Sequence, residues 1–248
     1  FVEKPTHLAA QRRHIPAELL QEPYQLIPMA SLGHTITGQP AIFDYILQLQ
    51  HKDINSKQIL IEFEKLCTCF FDVNLRLFRL GLMGEIHGQN ICLVLKNGEF
   101  DGLMFRDHDS LRIYLPWVEQ KGLKDPNYLS PHDFRNTLYH ESVEALLFYI
   151  QTLGIQVNLG CIVDNLASHY QIEVKDLWSV LAHALQQVIQ NLNFQPEILT
   201  QLQHLLFEVP EWPYKQLLRP LLEQDTRIGS MPSGIGKTRN PLWYALNC

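Results

Sequence analysis

Between residues 84 and 107 the chain carries Glu85, His87, Gln89 and Asn90 ahead of a turn signal, and Arg106-Asp107 after it. An acid, an imidazole, two amides, a guanidinium and a second acid form the inventory that holds Mg²⁺ and a nucleoside triphosphate. Mg²⁺ prefers hard oxygen ligands, takes few of them from protein, and leaves the rest of its octahedron to phosphate and water. Asp107 and the Asn90 side-chain carbonyl, with Glu85 as a third oxygen donor, match that demand. His87 can donate to a phosphate oxygen, and Arg106 can do the same or pair with a carboxylate. A polar cap on a hairpin needs only one or two such side chains. The adjoining His108 and Asp109 read as a bystander and a solvated turn residue.

A β-hairpin must position these groups. Ile91 to Leu95 is an apolar run that fits a buried strand, Asn97-Gly98 is a strong two-residue turn signal, and Phe100 to Phe105 returns as the second strand. The turn centre pairs residue 90 roughly with residue 105, so Asp107 comes within reach of Asn90 and Gln89. If residues 85–89 are extended, Glu85, His87 and Gln89 share one face. Residues 111–115 predict a further strand.

Upstream, residues 40–50 read as a helix, with Pro40 tolerated at its first position. Residues 56–80 read as a long helix, with Ile59, Phe63, Leu66, Phe70 and Leu75 at helical spacing and Gly81 as its C-cap. Downstream, the spacing predicts helices over 137–152, 158–170, 174–192, 196–207 and 213–223, then a Pro/Gly-punctuated tail over 224–248. Residues 1–39, broken by Pro5, Pro16, Pro23 and Pro28, read as an irregular segment before one domain over 40–248. The class is α+β, mainly helical with a small antiparallel sheet (hairpin about 90–106).

With 46% hydrophobic and 19% charged residues, the composition is that of an ordinary globular domain. A formal charge of −6 without a Lys/Arg run argues against nucleic acid. No apolar run approaches the roughly 18 residues of a membrane span. Phe1-Val2-Glu3-Lys4 has neither an initiating Met nor a signal pattern, and reads as the cut end of a longer protein. The scattered Cys67, Cys69, Cys92, Cys161 and Cys248 point to a reducing, cytoplasmic compartment rather than a disulfide framework. Gly234-Ile235-Gly236-Lys237-Thr238 lacks the earlier glycine of a P-loop, since position 231 is Met, and reads as a flexible tail.

Glu85-x-His87-Gly88-Gln89-Asn90, the hairpin and Arg106-Asp107 resemble the palm region of the IucA/IucC family of siderophore synthetases, with its FhuF-like C-terminal part. Pro28-Met29-Ala30-Ser31-Leu32, the helix ending at Gly81, Lys215-Gln216-Leu217-Leu218-Arg219 and Asn240-Pro241-Leu242 resemble further segments of that family, so the likeness covers most of residues 27–245. It implies an ATP- and Mg²⁺-dependent ligase. A polycarboxylate such as citrate is adenylated with loss of pyrophosphate, and an amine or alcohol then attacks. By resemblance, His87 contacts the ATP phosphates, Gln89 supports the nucleotide, Glu85, Asn90 and Asp107 are the metal candidates, and Lys215 grips substrate carboxylates. Arg135 and Tyr139, one helical turn apart, are candidates for facing the substrate. A homodimer is plausible by the same resemblance.

Two departures stand out. Pro220-Leu221-Leu222 replaces the family's Met-Arg-Leu, and the family's upstream His-Pro-x-His-Pro and Lys…Thr…Arg-Thr nucleotide motifs are not in these 248 residues. The chain alone is therefore expected to be inactive and to need an upstream part. Two alternatives remain beside the ligase. A small-molecule kinase needs a catalytic acid directly after His-Gly, where this chain has Gln89. A non-catalytic domain of a degenerate synthetase is the other. An iron–sulfur reductase would need four clustered thiolates, which the cysteine spacing does not supply.

Overall fold

The structure, a computed structural model, describes residues 14–107, 111–128, 138–216, 218–223 and 234–248. In chain order the elements are β1 (Tyr24–Pro28), α1 (Ile42–Leu49), α2 (Ser56–Arg79), β2 (Leu82–Met83), β3 (Ile91–Lys96), β4 (Glu99–Phe105), β5 (Arg112–Ile113) and α3 (Leu115–Gln120). Then come α4 (Val143–Tyr149), a π-helical stretch (Ile150–Leu159), α5 (Gly160–Tyr170), α6 (Val174–Asn191), α7 (Pro196–Gln203) with a π-helical last turn (His204–Glu208), β6 (Glu211–Gln216), α8 (Leu218–Leu222), β7 (Gly234–Arg239) and α9 (Pro241–Asn247). This is the α+β, mainly helical architecture expected.

Helix α2 is the spine. Ile59, Phe63, Leu66, Phe70, Leu75 and Phe78 recur every three to five residues and are fully buried. Asn55 caps its start, accepting from the Gln58 N–H at 3.0 Å. Along this spine lies α6, which buries Leu177, Leu181, Leu185 and Val188.

The principal sheet has the order β1-β3-β4, all antiparallel. Central β3 buries five consecutive residues because both of its faces are covered. Asn97 and Gly98 both have positive φ, 54° and 78°, the turn geometry that matches strand twist in a two-residue hairpin. One feature differs from expectation. Val94 pairs with Gly102 but Leu95 pairs with Phe100, so Asp101 is an extra residue in a bulge. The bulge moves the register by one, and Arg106 rather than residue 105 opposes Asn90, donating its N–H to the Asn90 carbonyl at 2.8 Å.

Several boundaries also depart from the expectations. Residues 24–28 form β1, not irregular chain. Pro23 and Pro28 flank or end the strand, and a sheet edge tolerates a missing N–H. The helices expected at 137–152 and 158–170 are one continuous run from Val143 to Tyr170. Gly154 does not break it, because a Cβ there would lie 2.8 Å from Ile86 Cδ1, so the glycine serves close packing. That run is long and apolar enough to cross a bilayer by composition alone, but 67% of its apolar window is buried inside the molecule, which marks a core helix. Residues 112–113 pair with β2 in a separate two-stranded sheet instead of extending the hairpin. The expected helix 213–223 is β6 followed by the short α8, and the tail expected to be flexible supplies its partner β7. Strand pairing there overrides local pattern, with Trp212 fully buried as the anchor.

Candidate functional site

The segment Gly84–Asn90 links β2 to β3 and is not extended. The Asn90 N–H donates to the His87 carbonyl at 3.0 Å, closing a tight turn over residues 87–90. This turn does what an extended strand was expected to do for Glu85 and His87, but not for Gln89. Glu85 Oε2 accepts from Asn90 Nδ2 at 3.1 Å and lies 3.9 Å from His87 Nε2. The Glu85 and His87 side chains are 28% and 24% exposed, so solvent or a ligand can reach both. Asn90 is buried. A carboxylate only accepts hydrogen bonds, so the amide nitrogen of Asn90 must face Glu85 and its Oδ1 must point elsewhere. The Gln89 side chain is exposed, and it is its backbone carbonyl that takes part, accepting from Arg106 Nη1 at 3.2 Å.

Asp107 follows Arg106 at the same end of the hairpin and is half-buried. Glu85, His87, Asn90, Arg106 and Asp107 therefore gather at one end of the β3–β4 hairpin. Among the described residues no three His, Cys, Asp or Glu side chains form a metal cage. Two carboxylates and one amide oxygen suit an ion that draws most of its ligands from phosphate and water, as Mg²⁺ does.

The other candidates lie elsewhere. Lys215 stands exposed on β6, and its strand is tied to the π-helical stretch by Gln156 Nε2, which donates to the Pro213 carbonyl at 2.9 Å. Its side chain makes no ion pair or hydrogen bond among the described residues. Tyr139 is not on a helix. It bridges Ile113, donates its hydroxyl to Asp125 Oδ1 at 2.6 Å and accepts from the Tyr128 N–H at 3.0 Å. Burial and the Asp125 bond raise its pKa, so the hydroxyl works as a fixed donor to the 125–128 loop. Arg135, His108 and Asp109 lie outside the described residues. A cavity of about 530 Å³ beside β6, walled by His140, Phe148, Tyr149, Trp212 and Pro213, contains none of the hairpin residues.

Residues that sequence reasoning missed hold the turn from below. Asn158 Nδ2 donates to the Ile86 carbonyl at 3.2 Å, and the Ala30 N–H donates to the Gly88 carbonyl at 3.0 Å. The signal for Asn158 was available: a short amide inside the apolar run 150–163 must find a buried partner.

Comparison with known proteins follows this geometry. Residues 63–229 match the family model described as "Ferric iron reductase FhuF-like transporter". Staphyloferrin B synthase of Staphylococcus aureus (strain NCTC 8325 / PS 47) is 33% identical over 244 residues, covering 98% of this chain and 41% of the relative. The petrobactin biosynthesis protein AsbB of Bacillus anthracis str. Sterne superposes with a TM-score of 0.68 at 18% identity, over 91% of this chain and 37% of that one. ATP-bound aerobactin synthetase IucA of Klebsiella pneumoniae superposes with a TM-score of 0.55 at 15% identity, over 90% and 38%. The chain thus spans about two fifths of the length of these relatives. At such low identity the two superpositions establish a shared fold and nothing finer. The chain belongs to the FhuF-like family, and over nearly its whole length it is similar to part of a staphyloferrin B synthase.

Proposed function

We propose that this chain is the Mg²⁺–nucleotide-holding part of an ATP-dependent ligase that adenylates a citrate-like polycarboxylate and condenses it with an amine or alcohol. One observation carries the reading: Glu85, His87 and Asn90 converge on a reachable turn, at the hairpin end that also bears Arg106 and Asp107. ATP-bound IucA, which shares this fold, supports the nucleotide assignment.

In the proposed reaction a substrate carboxylate oxygen attacks the α-phosphorus of ATP, and the bond to pyrophosphate breaks. The amine or hydroxyl then attacks the carbonyl carbon, loses a proton, and AMP departs. Mg²⁺, when bound, supplies charge neutralisation on the phosphates. This chain's residues bind and orient. Asp107, the Asn90 Oδ1 and the free oxygen of Glu85 offer hard ligands. His87 offers an N–H to a phosphate oxygen. Arg106, held by the Gln89 carbonyl, places a cation nearby. Catalysis of this kind is positioning and preorganised electrostatics rather than proton transfer by the protein. Gln89 cannot accept a proton, and its side chain points to solvent, so a kinase-like base is lacking after His-Gly.

Lys215 is proposed to reach the substrate carboxylates. The upstream part of the full protein is proposed to complete the nucleotide site, in the cytoplasm and within a homodimer. The ferric reductase of the family description is disfavoured by the five free cysteines, which lie on α2, β3, α5 and the last residue and do not gather. The test uses the full-length protein with ATP, Mg²⁺, hydroxylamine and a panel of polycarboxylates. Acid-dependent pyrophosphate release supports the ligase, ADP formation supports a kinase, and silence supports a non-catalytic domain.

A further inference from the structure

The backbone on both sides of His87 is clamped by residues that belong to neither the hairpin nor the proposed ligand set. Before His87, the Ile86 carbonyl accepts from Asn158 Nδ2 at 3.2 Å. After it, the Gly88 carbonyl accepts from the Ala30 N–H at 3.0 Å. Asn158 is only 3% exposed, and its amide nitrogen also faces Met29 Sδ at 3.5 Å. Its oxygen points the other way, to a spot 3.0 Å from where a Cβ on Gly88 would sit. One amide therefore serves the turn twice, holding Ile86 by a bond and leaving room for Gly88 and nothing larger. The Ile86 side chain is fully buried and wedges over Gly154, where a Cβ would lie 2.8 Å from Ile86 Cδ1.

Gly154 and Asn158 lie on the ten-residue π-helical stretch Ile150–Leu159. A π-helical stretch widens the helix and tends to occur where function fixes geometry over regularity. Here it presents a glycine and an amide, four residues apart, to the same seven-residue loop.

We infer that Asn158 is a positioning residue: through the Ile86 carbonyl it fixes the Ile86–Gly88 segment and holds the His87 imidazole beside Glu85. That this placement serves a nucleotide phosphate rests on the function proposed above. A buried donor that meets a loop carbonyl removes the loop's freedom before a ligand arrives, and a group misplaced by about 1 Å can cost roughly 100-fold in rate.

The test separates the two claims. In the full-length protein, Asn158→Leu fills the space but removes the donor, and Asn158→Ala is a second, smaller change should the first fail to fold. Hydrogen exchange read by mass spectrometry should show the peptide containing residues 84–90 exchanging roughly tenfold faster, in line with loss of one buried hydrogen bond, while peptides across α2 keep their protection. Acid-dependent pyrophosphate release should lose about 10–100-fold in kcat/KM for ATP, and His87→Ala combined with Asn158→Leu should be no worse than His87→Ala alone. Unchanged exchange over 84–90 overturns the inference, as does acceleration spread evenly over the whole protein or a double-variant loss equal to the product of the two single losses. If the loop loosens but His87→Ala keeps full turnover, the positioning stands and the nucleotide role of His87 fails.

Discussion

Glu62 offers a test in which removing a charge and removing its partners should have opposite signatures. Its side chain is fully buried in α2. It accepts from Lys52 Nζ at 3.0 Å, Lys65 Nζ at 3.1 Å and Gln50 Nε2 at 3.1 Å. Gln50 also donates to the Gly98 carbonyl at 2.8 Å, and Lys65 reaches Glu99 at 3.0 Å, so the network pins the turn of the site-bearing hairpin. The two lysines are 33% and 37% exposed. Glu62→Gln keeps the shape and the Gln50 contact, and strands two cations that water already reaches. Its cost should be about 1–2 kcal/mol, since half-exposed partners recover much of the lost interaction. Lys52→Met with Lys65→Met strands a fully buried carboxylate with one amide for company, and should cost about 3–5 kcal/mol.

The pH dependence sharpens the contrast. Burial pushes the Glu62 pKa up, but the hydrogen bonds from Gln50, Lys52 and Lys65 outweigh it and leave the pKa below its ordinary value of 4.5. The native contribution is therefore present above that ordinary value and lost as pH falls through the depressed one. Without the lysines burial dominates and the pKa rises, so the contribution of Glu62 is lost as pH rises instead. Urea unfolding of the 248-residue chain across the acid range, followed by circular dichroism, reads both effects. Each lysine variant is compared with the same variant carrying Glu62→Gln. Equal destabilisation by the two routes, or a Glu62 contribution with the same pH sign in both backgrounds, would refute the reasoning.

Other outcomes follow from the same geometry. Asp107→Ala and Asn90→Ala should each lower acid-dependent pyrophosphate release by roughly 100-fold or more in the full-length protein, as loss of a preorganised electrostatic group does; unchanged release sinks that residue's assignment. Gly88→Ala places a Cβ 3.0 Å from the Ala30 backbone nitrogen, which cannot swing aside, and should destabilise the chain by about 1–3 kcal/mol on urea unfolding. Gly98→Val sets a β-branched residue at φ 78° and should cost about 1–2 kcal/mol or more, with Asn97→Gly near neutral as its control. His140 is held neutral, because burial and then the Arg112 charge push its pKa down to about 4 from an ordinary 6.5. Stability should therefore fall as pH drops from the ordinary value toward the depressed one, and His140→Phe should flatten that slope in pH-dependent melts.

Local chemistry was the legible part of this fold. Asn97-Gly98 specified its turn because few residues other than Asn and Gly take positive φ at both positions at low cost, and the long apolar period of α2 could form only one kind of element. What escaped the sequence was set by distant partners. Residues 213–216 read as the start of a helix by pattern and instead belong to the strand Glu211–Gln216, because Gly234–Arg239 pairs with it across a long separation. Gly154 resembles a breaker until Ile86 and Phe70 are seen packed on its bare α-carbon. The bulge at Asp101 has no residue signature, yet it sets which side chain opposes Asn90.

The site divides along the same line, and the division bears on mechanism. The nearness of Asn90, Arg106 and Asp107 was legible because hairpin topology brings them together, whereas Glu85 and His87 are placed by a turn that Asn158 and Ala30 hold. Lys215 rested on resemblance, and Arg135 and Tyr139 on a helical spacing; Tyr139 is committed to Asp125 off any helix, Arg135 lies outside the described residues, and Lys215 stands exposed on β6. The ligase proposed above, gripping phosphates at the His87 turn and carboxylates through Lys215, has to fix the separation between those two groups. In this chain the element spanning both is the π-helical stretch, which holds Ile86 through Asn158 and Pro213 through Gln156. Asn158 and Gln156 leave the helix two residues apart and so on different sides. The distance from the His87 turn to the strand carrying Lys215 is thus set by helix geometry rather than by a flexible loop. Insertion of a single residue between them should therefore damage coupling of carboxylate to ATP more than it damages nucleotide binding.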